Sequence, residues 1–317
     1  MRRWPVCASK RPRAGWRRGS GQLMRILVTG AGGALGGRIA FLLAKSVDVV
    51  AAYRSSPPPA GLQTWRGDLT CPGALADATA GCSAVVHCAA MANADACEQA
   101  PRLAEAINVD LARDVARLCS RQGLRLVALS TDLVFDGENA PYAPEHAARP
   151  RLVYGQTKLL GEAATLEAAP EAAVARVALV AGRGHGARGS ATESILWALR
   201  RGETLRLFTD QIRTPIDAES VSRAVLLLVK DHLSGRFHLG GLERLSRFDL
   251  GRRVAQRYGL PSSLIVPVLQ ANSPIGATRP ADVSLDCAST RTRLGWEPAP
   301  LDAMLEQCRP NRPDAGA

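Results

Sequence analysis

Short apolar runs alternate along the chain with longer stretches in which apolar positions recur every three or four residues. Residues 26–28, 47–53, 84–87, 124–129 and 172–180 are runs of strand length. Residues 38–44, 104–121 and 154–168 carry the helical period. Gly123 closes the second of these helices, and the third ends before Pro170. The strands are apolar on both faces, and helices intervene between them. That pattern predicts an α/β fold with a doubly wound parallel sheet (Rossmann type) over residues 24–181. Beyond residue 181 the pattern is mixed. Helices are predicted at 192–201, 218–229 and 248–258 and a short strand at 236–239, before Pro261, Pro267, Pro274 and Pro280 punctuate the chain. Residues 182–308 thus read as a smaller mixed α/β lobe that supplies substrate contacts and sends segments back to the core. Residues 309–317 read as a flexible tail.

Composition supports a sizeable core, with 46% hydrophobic and 22% charged residues. The net charge of +11 would by itself suggest an acidic partner. Its distribution changes that picture. Arg2, Arg3, Lys10, Arg11, Arg13, Arg17 and Arg18 contribute +7 within residues 1–23, which hold no acidic residue, and 11 − 7 leaves +4 for the rest. Residues 1–23 read as a disordered basic extension, and Met24, directly before the first strand, as the natural start. No aromatic-interleaved basic patch follows, so no nucleic acid is expected as a partner. No apolar run reaches the roughly 18–20 residues that cross a bilayer, so no membrane association is expected either. The N-terminus lacks the apolar stretch of an export signal. Eight scattered cysteines form no Cys-x-x-Cys pair, and no His pair has zinc-ligand spacing. They fit a cytoplasmic protein without a metal site, and Cys82 and Cys88 read as buried structural thiols.

The first strand runs into Thr29-Gly30-Ala31-Gly32-Gly33-Ala34-Leu35-Gly36-Gly37. Gly30 allows a tight turn, Gly33 lets backbone amides approach a pyrophosphate, and Gly36 lets the helix pack closely. Ala34 and Leu35 lie between them, where the helix N-terminus faces the phosphates. The spacing Gly-x-x-Gly-x-x-Gly differs by one residue from the general Gly-x-Gly-x-x-Gly fingerprint, and its place between the first strand and a helix points to a dinucleotide cradle. The second strand ends Ala51-Ala52-Tyr53-Arg54-Ser55, without the carboxylate that would hold a ribose 2′-hydroxyl. Arg54 suits a 2′-phosphate instead, so NADPH is favoured over NADH. Asp68, followed by Leu69, is placed to accept from the adenine amino group. Ala89 and Ala90 are small enough for a flat cofactor to pass. His87 reads as a packed strand-end residue.

Tyr154 and Lys158 are four residues apart, one turn of a helix on a common face. An ammonium beside a phenol lowers the phenol's pKa and lets the pair exchange a proton with a carbonyl or an alcohol. Lys158 is also placed to hold the nicotinamide ribose. Thr131 follows a strand, where substrate-facing residues sit in such sheets, and its hydroxyl can polarise a carbonyl.

Three segments carry a family resemblance: Thr29-Gly30-x-x-Gly33-x-x-Gly36; Ser130-Thr131-Asp132-x-Val134-Phe135-Asp136-Gly137; and Tyr154-Gly155-x-x-Lys158-Leu159-x-Gly161-Glu162. Together with Asp210-Gln211-x-x-x-Pro215 and Arg279-Pro280-x-Asp282, they resemble the extended short-chain dehydrogenase/reductase superfamily. Within it the chain is most similar to the dTDP-4-dehydrorhamnose reductase family. The resemblance spans roughly residues 25–305. It implies NADPH-dependent reduction of a nucleotide-linked 4-keto sugar. Tyr154 would protonate the forming alkoxide, and Thr131, or Ser130, would bind the keto oxygen. Gln211 and Arg279 would contact the sugar nucleotide, and a homodimer is one arrangement open to it. Leu133, Arg213 and Ile216 replace the family's usual Tyr, Gly and Thr, all on the expected substrate side. Two other readings share these motifs. One is a sugar-nucleotide epimerase or dehydratase. The other is a regulatory subunit resembling the methionine adenosyltransferase β subunit, a branch that Arg213 followed by Pro215 resembles.

Overall fold

The computed structural model describes residues 24–187, 189–273 and 279–311. The expectation for residues 1–23, and most of that for the tail, lies outside them. The first unit contains β1 (Arg25–Thr29), α1 (Ala34–Leu43), β2 (Asp48–Tyr53), β3 (Gln63–Arg66), α2 (Ala74–Ala78) and β4 (Ala84–His87). Next come α3 (Ala94–Gln99), α4 (Pro101–Glu105), a π-helical turn at Ala106–Asp110, α5 (Leu111–Gln122), β5 (Arg125–Thr131), α6 (Val153–Ala168) and β6 (Ala173–Val177). The remainder holds β7 (Val180–Ala181), α7 (Ala191–Arg200), β8 (Leu205–Phe208), β9 (Ile212–Arg213), β10 (Ile216–Asp217), α8 (Ala218–Lys230) and β11 (Gly235–Leu239). It closes with β12 (Leu245–Ser246), α9 (Arg247–Arg257), β13 (Ile265–Val268), α10 (Ala288–Leu294) and α11 (Leu301–Glu306).

The main sheet has seven strands in the order β11-β6-β5-β4-β1-β2-β3, all parallel. Successive residues of a strand point to opposite faces, and the core divides accordingly. Ile26, Val28, Ala51, Val86 and Val127 belong to one buried cluster, on the side where α1 packs against α8. Leu27, Val50, Ala52, Val85 and Leu126 belong to another, with Val115 of α5. The doubly wound sheet expected from the apolar runs is therefore the fold observed. From β1 the chain winds outward to β3, then returns through β4 to wind the other way. The crevice at the carboxyl ends of β1 and β4 is thus the topological switch point, where such sheets bind ligands.

The second unit contributes β11 to this sheet and three two-stranded pairs of its own, β10 with β7, β12 with β9 and β13 with β8. The apolar run 172–180 divides because β6 ends at Val177. The chain then leaves the sheet, and Ile216 donates its N–H to the Leu179 carbonyl at 2.9 Å. The helix expected at 104–121 is interrupted by the π turn. The tail also differs from expectation at its start. Arg309 Nε donates to Glu193 Oε1 at 2.8 Å, and its carbonyl accepts from Trp197 at 3.0 Å. These contacts anchor residue 309 to α7. No helix among the described residues is long and apolar enough to cross a membrane.

Candidate active site

The β1–α1 turn is tightly closed. Gly30 has φ +66°, and a Cβ there would lie 2.7 Å from the Ala89 backbone. A Cβ on Gly36 would lie 2.4 Å from the Gly30 carbonyl oxygen, so α1 begins as close to the strand as backbone allows. Gly33 is the N-cap and offers no side chain, and the first turn of α1 has no acidic residue. The N–H groups at Ala34, Leu35 and Gly36 are therefore left for a ligand, as an anion-binding helix N-terminus requires. The cradle fits the pyrophosphate of a dinucleotide. Thr29 ties it to β4, because its Oγ1 accepts from the N–H of Cys88 and of Ala89, each at 3.1 Å. The same oxygen lies 2.9 Å from His87 Nδ1. His87 is packed, and burial with the nearby Lys158 charge lowers its pKa to about 3, so it stays neutral.

Arg54 and Asp68 meet at the end of β2, with Nη1 and Oδ2 3.5 Å apart. Burial raises the Asp68 pKa, but hydrogen bonds from the Thr70 hydroxyl (2.7 Å) and N–H (3.0 Å), together with Arg54, outweigh it and hold the carboxyl ionised. Asp68 thus steadies a largely exposed guanidinium at the adenosine end of the crevice. Leu69 is buried in the second core cluster and leaves only its backbone to a cofactor. Ala89 and Ala90 line the crevice half-buried.

At the reacting centre β5 runs two residues further than the apolar run suggested and carries Thr131 at its end. The Tyr154 phenol lies near the Thr131 hydroxyl and the Asp132 carboxylate. Lys158, one turn along α6, is buried, with Nζ donating to the Leu129 carbonyl at 2.8 Å. Burial lowers its pKa to about 8, against the raising effects of Glu162 and Cys88. The expectation that Lys158 lowers the Tyr154 pKa does not hold in this structure. Burial raises it, the nearby Thr131 hydroxyl lowers it and the Asp132 charge raises it further. Lys158 is turned toward β5, so Tyr154 is a neutral phenol, the form that donates a proton. Ser130 also departs from its expected role. Its hydroxyl donates to Glu162 Oε1 at 2.5 Å. Neighbouring strand residues face opposite ways, so Thr131 alone stands beside Tyr154.

The remaining substrate-side candidates come from the second unit. Gln211 is buried and donates from Nε2 to Gln270 Oε1 at 2.9 Å, which makes it a wall residue. Arg279 pairs with Asp95 of α3 at 2.9 Å and so bridges the two units. Three further residues join them: Arg213, a departure from the family pattern already visible in the sequence, and Asp132 and Arg247, to which the sequence assigns no role. Asp132 is buried beside Thr131, accepting its hydroxyl on Oδ1 at 3.1 Å, while Oδ2 has no hydrogen-bond partner among the described residues. Burial raises its pKa, opposed first by Arg213. Arg213 is locked against the carbonyls of Ile212 (2.7 Å), Ala281 (2.9 Å) and Pro280 (3.2 Å). Arg247 lies close enough to both arginines for its pKa to fall to about 10, through burial and then their repulsion. Arg213, Arg247 and Arg279 thus gather positive charge around one buried carboxylate. Asn108, in the π turn, is the other residue missed. Its side chain accepts from Met91 N–H at 2.9 Å and donates to Thr157 at 3.0 Å, tying the loop after β4 to α6. The sequence carries no signal of it, since the helical period runs unbroken over 104–121.

Residues 24–311 match the family described as the RmlD substrate binding domain. A probable low-salt glycan biosynthesis reductase, Agl14, from Haloferax volcanii is 30% identical over 292 residues, covering 89% of this chain and 96% of that protein. The dTDP-4-dehydrorhamnose reductase of Mycobacterium tuberculosis is 33% identical, covering 82% and 84%. The methionine adenosyltransferase 2 subunit beta of Pongo abelii is 32% identical over a smaller part, 66% of this chain and 64% of that one. Among solved structures, a hypothetical dTDP-4-dehydrorhamnose reductase from Sulfolobus tokodaii superposes with a TM-score of 0.76 at 30% identity, covering 86% and 96%. MoeE5 in complex with UDP-glucose and NAD superposes with a TM-score of 0.77 at 25% identity, covering 89% and 96%.

Proposed function

The chain belongs to the RmlD substrate binding domain family, within the extended short-chain dehydrogenases/reductases, and from that premise we propose that it is an NADPH-dependent reductase of a nucleotide-linked 4-keto sugar. The observation that carries this reading is the convergence of Thr131, Tyr154 and Lys158 at the carboxyl end of β5, across the crevice from an open glycine cradle. The helix N-terminus at Ala34–Gly36 would hold the pyrophosphate, and Arg54, steadied by Asp68, the 2′-phosphate. When bound, the dinucleotide supplies a hydride. Thr131 orients the keto oxygen by its hydroxyl, and Tyr154, kept protonated by burial, donates the proton that oxygen needs as it becomes an alkoxide. Lys158 is placed to hold the ribose and to keep a positive charge behind the phenol while it is deprotonated.

The arginine cluster supports a nucleotide sugar over a free sugar. Arg213, Arg247 and Arg279 repel one another and offer a dianion the compensation that Asp132 alone gives incompletely. A diphosphate linked to the anomeric carbon lies across one pyranose ring from the keto group, in keeping with cations set beside rather than on the proton donor.

The test is NADPH oxidation against dTDP-, UDP-, GDP- and CDP-linked 4-keto sugars, with Tyr154→Phe as control. Turnover with one of them that disappears in the variant is the expected result. Tight NADPH binding without turnover on any sugar, together with a stable heteromer recovered by pull-down, would instead favour the regulatory reading raised by the partial similarity to the adenosyltransferase subunit. Cofactor retained unchanged through turnover would mark an epimerase or dehydratase.

A further inference from the structure

Helix α6 carries a third ionisable residue in register with its reacting pair. Tyr154, Lys158 and Glu162 are spaced i, i+4, i+8 and so lie along one face. Two of them are met by groups of β5, Lys158 by the Leu129 carbonyl and Glu162 by the Ser130 hydroxyl, and Tyr154 lies near Thr131 at the strand end. Glu162 is only 3% exposed. Arg176 of β6 grips it in a fork, Nε to Oε1 at 3.0 Å and Nη2 to Oε2 at 2.8 Å, and Arg236 of β11 stands 3.5 Å away. Both carboxylate oxygens are thus matched by hydrogen-bond donors. Lys158 and Glu162 both line one small buried cavity, together with His87, Asn108 and Ser130. No substrate or cofactor reaches Glu162 in the proposed reaction, yet its charge is buried one helical turn from the ammonium.

We propose that Glu162 is a positioning residue of the reaction: its carboxylate, on the buried side of α6, keeps Lys158 an ammonium held against β5, one helical turn from Tyr154. The inference rests on the assignment of Tyr154 and Lys158 as the reacting pair. The charged and titratable groups around Lys158 bear it out. From β4 and the residue after it come His87, held neutral, and Cys88, whose thiol burial pushes up to about 12. From α6 come Tyr154, neutral, and Glu162. Asp132 lies beyond Tyr154 at the strand end. Arg176, Arg236 and His238 stand behind Glu162, and His238 is neutral with a pKa near 3. Glu162 is therefore the negative charge that opposes the desolvation of Lys158 from the protein side. The Ser130–Glu162 contact gains a purpose in the same step. Ser130 serves the reaction through Glu162, not through the keto oxygen.

The sequence has four lysines, Lys10, Lys45, Lys158 and Lys230. Lysine labelled with 13C at Cε, with Lys158→Met for assignment, therefore gives a resolvable titration of Lys158 in the intact protein without any substrate. In Glu162→Gln, which keeps shape and loses charge, the Lys158 midpoint should fall by about one pH unit from its position near 8. In Glu162→Asp, which keeps charge and loses a methylene, it should stay near the original value. A packing role predicts the reverse order, with the isosteric Gln harmless and Asp disruptive. That outcome, or equal midpoints in all three proteins, overturns the proposal. If Glu162→Gln fails to fold, Glu162→Gln/Arg176→Met removes both buried charges, and the midpoint should still fall because Glu162 is the nearer to Lys158. The alkaline limb of NADPH oxidation should move down with the midpoint. Shifted midpoints in a protein that turns over no keto sugar would uphold the electrostatic role and sink the reductase reading instead.

Discussion

In the proposed reaction Tyr154 is the acid, because burial and then the Asp132 charge disfavour its phenolate. Tyr154→Phe should lower turnover by about 10²–10⁴-fold, the range for a lost general acid. Melting temperature and NADPH affinity should stay near those of the parent protein, since the ring is kept. Lys158 behaves differently. Its folded pKa, about 8, lies below its ordinary value of 10.5, so below pH 8 the folded state carries an ammonium it would rather shed. Unfolding binds a proton between pH 8 and 10.5, and stability therefore rises with pH across that window. Lys158→Met should accordingly abolish activity yet stabilise the protein at pH 7 by on the order of 2 kcal/mol, a gain that fades as the pH approaches 10.5. Thermal melts at pH 7 and pH 10.5 check both halves. The two residues were readable from sequence because one helix carries them at a spacing that fixes their relation. Arg213 was legible only as a departure from the family pattern, and its meeting with Arg247 and Asp132 was not legible at all, because β9, α9 and the end of β5 come together only through the tertiary fold.

Helix α6 owes its position to close backbone approaches. A Cβ on Gly155 would lie 2.2 Å from the Leu133 carbonyl oxygen, and one on Gly161 2.2 Å from that of Asn108. Gly155→Ala should therefore push the first turn of α6 away from the end of β5 and carry Tyr154 off Thr131. The expected result is a turnover loss of about 10²-fold, the scale of an ångström's misplacement, with NADPH binding at the cradle retained. Helix α7 is fixed by its N-terminus. Ser190 and Glu193 form a reciprocal capping box, and Ser190 Oγ also donates to the Gly182 carbonyl. Ser190→Ala should cost about 1–2 kcal/mol in denaturant unfolding, with activity per folded molecule unchanged. The long buried elements were legible because their apolar positions repeat. Strand β3 was not, since as an edge strand it buries only Trp65 of its four residues. The short pairs β7–β10 and β9–β12 are two residues each, below the length at which any period exists.

At the scale of the molecule, charge and site separate. Seven positive charges lie in residues 1–23 and the matched family begins at residue 24. A chain starting at Met24 should keep its melting temperature and NADPH affinity while eluting from a cation exchanger at lower salt. What remains of the positive charge matters through its placement. The main sheet builds the cradle and the proton donor, and the second unit brings Arg213, Arg247 and Arg279 over the same crevice, with Arg279 joined to Asp95 across the gap. In the proposed reaction, recognition would then depend on the anionic part of the ligand and the chemistry on its keto group, in separate units of the fold. Arg247→Leu separates the two. It removes a cation that contacts neither Tyr154 nor the cradle, so KM for the nucleotide-linked keto sugar should rise about tenfold, with kcat and NADPH affinity little altered. Raising the ionic strength should weaken substrate binding less in the variant than in the parent. A keto sugar lacking the diphosphate should be handled equally by both. Equal losses on charged and uncharged substrates would mean that Arg247 holds the lobe together and binds no phosphate.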